Sequence, residues 1–71
     1  MSNDILIKFG KRVQSLRKEK GWSQEELADR SNFHRTYIGF IERGERNISL
    51  KALKILSQTF GISLSEILKN I

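Results

Sequence analysis

"SQEELADRSNFHRTYIGFIERG", residues 23–44, holds the spacing that decides the fold. Ser23 and Glu26 stand at capping-box distance, where a hydroxyl and a carboxylate each satisfy a free backbone N–H at a helix start. The helix predicted over residues 24–31 is short, because Asn32 enters the left-handed region that ends a helix more readily than most residues with a side chain. A further helix is predicted over residues 34–43 after a gap of about three residues. At about 100° per residue, Ile38 and Ile41 mark its buried side with Tyr37 at the edge, while Thr36, Phe40 and Arg43 project the other way. Gly39 lies beside that outer face, and Arg35 sits in the first turn, where a long side chain reaches past the helix end. Two short helices joined by a tight turn, the second turning basic and polar groups outward, form the arrangement that lets one helix lie in a DNA major groove.

Outside this stretch the chain continues in the same helical pattern. Leu6, Phe9, Val13 and Leu16 recur at three- and four-residue steps and predict a first helix over residues 4–20. Gly10 lies inside it at a cost of about 1 kcal/mol relative to alanine, which points to close packing there. Ser49 caps a helix over residues 50–60, with Leu50, Leu53, Leu56 and Phe60 facing inward. Ser63 and Glu66 repeat the capping-box spacing before a last helix over residues 64–70. Gly21, Gly44 and Gly61 each follow a helical stretch, where a left-handed cap is commonest. The expectation is an all-α fold, a five-helix domain spanning residues 1–71.

At 71 residues the chain holds one modest core and leaves little room for a substrate cavity. It has no cysteine and one histidine, so neither a disulfide framework nor a metal centre built on His34 is expected. No Ser/His/Asp set, no glycine-rich phosphate loop and no strand is evident, which argues against an enzyme. No apolar run is long enough to cross a bilayer, so no membrane association and a cytoplasmic location are expected. Thirteen Lys and Arg against eight Asp and Glu give a formal charge of +5, which favours a polyanionic partner.

"FGKRVQSLRKEKGWSQEELADRS" and "RTYIGFIERGERNISLKALKILSQTFGISLSEIL" resemble the lambda-repressor and Cro-like helix-turn-helix proteins almost without gaps. Within that family, "RTYI…IERGERNISL" is most similar to the small controller proteins of restriction–modification systems, which are dimeric autoregulators. The resemblance implies a transcriptional regulator bound to double-stranded DNA, with RNA polymerase as a further partner where regulation is by activation. A phage or plasmid repressor of the same fold and an antitoxin-like protein-binding module are the alternatives.

By position, the resemblance places Ser23 and Gln24 on a backbone phosphate and assigns base reading to Arg35, Thr36 and Phe40. Tyr37, Arg43, Arg46 and Asn47 match positions that clamp phosphates or approach the neighbouring minor groove, and Arg17 and Glu42 match a structural ion pair. Both members of that pair also lie on the flanks of their apolar faces, where a bidentate contact at the core's edge is feasible. Three positions depart from the family pattern: Asn32 replaces a turn glycine, Gly39 a small hydroxyl residue, and Phe40 brings a ring that cannot hydrogen-bond to a base.

Leu64, Leu68 and Ile71 form a stripe offset from Ile67, and Ile55 is offset from its helix's inward set. Such leftover apolar positions predict a homodimer interface. Two recognition helices about 34 Å apart would then meet an inverted-repeat operator.

Overall fold

The computed structural model describes residues 4–71. Five helices follow one another: α1 (Asp4–Glu19), α2 (Gln24–Ser31), α3 (Arg35–Arg43), α4 (Leu50–Phe60) and α5 (Leu64–Ile67). The starts of α2, α4 and α5 are set by serine. Ser23, Ser49 and Ser63 take extended backbone conformations, and their hydroxyls accept from the N–H groups of Glu26, Ala52 and Glu66 at 3.0, 3.0 and 3.1 Å. Each contact satisfies one of the donors a helix start leaves free.

The return halves of the two expected capping boxes do not form, because both carboxylates are engaged elsewhere. Glu26 accepts from Arg30 one turn on at 2.6 Å, and Glu66 accepts from Arg12 of α1. Gly44 and Gly61 close α3 and α4 in the left-handed region, and Asn32 does the same for α2 at φ 67°.

Four expectations about the elements are corrected. α1 ends at Glu19, one residue short of the expected bound. α3 begins at Arg35, with His34 as its extended cap residue. α5 ends at Ile67, because the chain reverses through Asn70 at φ 65° and brings Ile71 back against the core. Leu50, expected inside, is 82% exposed; it begins α4 and precedes every buried position of that helix, Ala52 through Phe60.

The core is one cluster to which every helix contributes: Phe9, Val13 and Leu16 from α1, Leu27 and Ala28 from α2, Ile38 and Ile41 from α3, Leu53, Leu56 and Phe60 from α4, and Ile67 from α5. Trp22 packs against this cluster from the α1–α2 corner, its ring stacked on Phe60 with centroids 5.8 Å apart and the Arg30 guanidinium 4.4 Å from its centre. α1 and α3 meet with no side chain between them at Gly10. A Cβ there would lie 2.5 Å from the Ile41 carbonyl oxygen and 2.6 Å from that of Glu42, well inside van der Waals contact. This backbone contact sets where α3 lies. Among the described residues no helix is long and apolar enough to cross a membrane.

Candidate nucleic-acid interface

α3 is amphipathic in the sense the site requires. Ile38 and Ile41 are buried at 0% and 2% exposure, whereas Arg35 and Thr36 are exposed on the first turn of the helix. Tyr37 is half-buried, its ring edge-on to Phe33 with centroids 5.1 Å apart and planes at 78°. That contact is of the geometry aromatic pairs prefer and leaves the tyrosine at the rim of the helix.

Behind the exposed face lies a buried polar cluster. Arg17 of α1 grips Glu42 of α3 through two bonds, Nε to Oε2 at 2.6 Å and Nη2 to Oε1 at 3.0 Å, and its remaining Nη1 donates to the Trp22 carbonyl at 2.9 Å. The guanidinium is held above its ordinary pKa by hydrogen bonding to Glu42; burial works against this rise and the carboxylate's charge adds to it. Gln24, the first residue of α2, donates Nε2–H to Glu42 Oε1 at 3.0 Å. One carboxylate thus fixes α1, α2 and α3 together. A primary amide carries two N–H groups, so the bond to Glu42 leaves Gln24 a second donor. Ser23 stands beside it, exposed, with its oxygen capping α2 and its own O–H free to donate.

Past the second turn the structure departs from a simple base-reading strip. Phe40 is half-buried rather than projecting, and two arginines lie against its ring, Arg46 at 4.6 Å and Arg43 at 5.2 Å from the centroid. Arg43 also donates Nε–H to Glu45 Oε1 at 3.0 Å across the Gly44 turn. Gly39, expected beside the outer face, is buried, and the nearest group outside it is the Arg43 guanidinium. Asn47 is exposed in the following loop and borders an apolar cleft of about 230 Å³ with Ile5, Leu6, Ile48, Leu68 and Ile71.

Leu68 and Ile71 therefore come together in this cleft, joined by Ile5 and Ile48, which the sequence pattern did not mark. Ile55 and Leu64 do not line it; Leu64 is 40% exposed and Ile55 half-buried. The Arg43–Glu45 and Gln24–Glu42 contacts were equally unmarked. The first depends on a left-handed turn bringing together residues two apart, and the second on tertiary packing between α2 and α3, and neither leaves a periodic trace.

The helix-turn-helix family matches residues 13–67 of the chain. The control protein C.MunI of Mycoplasma sp. is 47% identical over 70 residues, 97% of this chain and 95% of that protein. The restriction–modification controller protein C.AhdI of Aeromonas hydrophila superimposes with a TM-score of 0.84 at 45% identity, over 87% of this chain and 94% of that one. The controller C.Esp1396I, seen as a tetramer with its natural 35 base-pair operator, superimposes at 0.81 with 39% identity over 90% and 88% of the two chains. With a core, a turn and an exposed recognition helix of this kind, and with relatives this similar over nearly its whole length, the chain belongs to the helix-turn-helix family of transcriptional regulators, among the control proteins of restriction–modification systems.

Proposed function

We propose that this protein binds an inverted-repeat operator in double-stranded DNA as a homodimer and controls transcription of a restriction–modification system, including its own gene. The observation that carries this reading is the exposure of Arg35 and Thr36 on the first turn of α3 while the same helix buries Ile38 and Ile41. Arginine pairs bidentately with guanine O6 and N7, and the threonine methyl can meet that of thymine. Gln24 and Ser23 present donors at the start of α2 suited to one phosphate, and Tyr37, Arg46 and Asn47 to the next.

Phe40 supports arginines rather than touching a base. The dimer forms through Leu64, Leu68, Ile71 and Ile55. The protein works in the cytoplasm, and where it activates, RNA polymerase meets the surface that the operator leaves free.

Selecting duplexes from a random pool with the purified protein tests this reading. A two-fold symmetric consensus with half-site centres about one helical turn apart is expected, and Arg35→Ala should blur one base pair in each half-site by about 1–3 kcal/mol. Binding without sequence preference, or with preferences that Arg35→Ala leaves unchanged, would contradict it.

A further inference from the structure

Arg35, Gly39 and Arg43 lie on one ridge of α3, four residues apart, the row that side chains follow along a helix surface. Gly39 is a notch in that ridge. A Cβ built on it would sit 3.0 Å from Arg43 Nη1 and 3.8 Å from both Cζ and Nη2, so the Arg43 guanidinium has folded back into the space that residue 39 leaves empty. Helical side chains lean toward the N-terminus, and a four-residue step carries the charge about 6 Å back along the axis. That displacement takes Arg43 from the end of the helix toward the turns that meet base edges in a major groove.

Its remaining contacts hold it there. Glu45 accepts from Nε alone at 3.0 Å, and the Phe40 ring lies 5.2 Å from Cζ. The outer fork, Nη1 and Nη2, is left without a carboxylate, and this is the pair of donors that matches guanine O6 and N7. The family resemblance implies a phosphate contact for Arg43; the same fork matches either acceptor, and what favours a base is its displacement over Gly39 away from the helix end.

We infer that Arg43 is a second guanine-reading residue, delivered over Gly39 and aimed by Glu45 and Phe40 at a base pair other than the one Arg35 reads. The inference rests on the operator-binding reading above. Glu45 and Phe40 act here as positioning residues.

The test uses the operator selected by the intact protein and its single-base variants, titrated with wild type, Arg43→Ala, Glu45→Ala and Gly39→Ala. Arg43→Ala should lower the preference for G·C at one position of each half-site by about tenfold and leave the Arg35 position as it was. Glu45→Ala removes a negative charge beside the proposed base-reading fork, so it should tighten binding to every variant while lowering the same preference several-fold. Gly39→Ala asks only the flexible end of Arg43 to shift and improves helix propensity, so it should raise the melting temperature by about 4 °C while weakening that preference.

The inference is overturned if Arg43→Ala weakens all variants alike and lowers the salt slope by about one, the signature of a phosphate contact. It is likewise overturned if Glu45→Ala and Gly39→Ala leave every base preference intact. A wild-type protein that selects no sequence would remove the operator-binding reading itself, whereas preferences altered by Arg35→Ala but not by Arg43→Ala would remove this inference alone.

Discussion

Glu42 is the residue on which scaffold and interface converge. Its side chain is 2% exposed and accepts from Arg17 twice and from Gln24 once, so a buried charge and the amide proposed to meet a phosphate share one carboxylate. Removing a single partner of a buried ion pair leaves the other charge uncompensated. Glu42→Ala should therefore cost about 3–5 kcal/mol in urea unfolding. Replacing both, Arg17→Met with Glu42→Leu, should recover most of that loss, because well-packed apolar pairs match buried ion pairs in stability. The double variant still leaves Gln24 without its acceptor, and affinity for all operators should fall several-fold by titration. Equal affinity in a stable double variant would show that Gln24 needs no such anchor. Because the Arg17 pKa is raised, the guanidinium's contribution is present below the ordinary arginine value and lost only as pH climbs through the higher folded-state one. No change from this group is expected across neutral pH.

Among the elements, the α1–α3 crossing is the most tightly specified, since Gly10 lets two backbones touch. Gly10→Ala gains about 1 kcal/mol of helix propensity but sets a methyl against two carbonyl oxygens that belong to a helix backbone. The clash should prevail. We expect a net loss of about 3 kcal/mol by thermal or urea unfolding, with operator affinity falling further as α3 is pushed aside. A variant as stable as the wild type would mean that the crossing has room to spare.

The need for a small residue at Gly10 was legible from the sequence, because a glycine inside an otherwise regular helical pattern has a cost that packing must offset. The serine caps and the left-handed closures at Asn32, Gly44 and Gly61 were legible for the same kind of reason: their causes are local. The end of α5 was not. Leu64, Leu68 and Ile71 keep helical spacing, yet Ile71 reaches the core by a turn through Asn70, and periodicity cannot distinguish those two routes. Leu50 failed similarly, its spacing matching Leu53 while its place at the first residue of α4 leaves it uncovered. On the interface, the exposure of Arg35 and Thr36 followed from the pattern of isoleucines. The folding back of Arg43 depends on a notch at Gly39 and on a turn that sets Glu45 beside it, neither of which has a period, and the anchoring of Gln24 depends on a contact that only the assembled helices create.

At the scale of the molecule, the exposed apolar residues are not spread evenly. Leu68 and Ile71 share a cleft with Ile5 and Ile48, and Leu64, Ile5 and Leu50 are exposed as well. Under the operator reading proposed above, the occupant of this cleft is a second copy. Leu68→Glu places a charge in that cleft and should shift sedimentation from dimer toward monomer, weakening operator binding at least tenfold at protein concentrations below the new dimer constant. An unaltered dimer would move the interface away from α5. Operator affinity should also fall steeply with salt, linearly on logarithmic axes, in proportion to the phosphates each dimer neutralises.

Trp22 is the chain's sole indole, in contact with the Phe60 ring and the Arg30 guanidinium at the corner where α1 passes into α2. That placement supplies an optical gauge without any added dye. Melting should free the indole into water and move its emission to longer wavelength, so a fluorimeter alone could follow denaturation of every variant considered above.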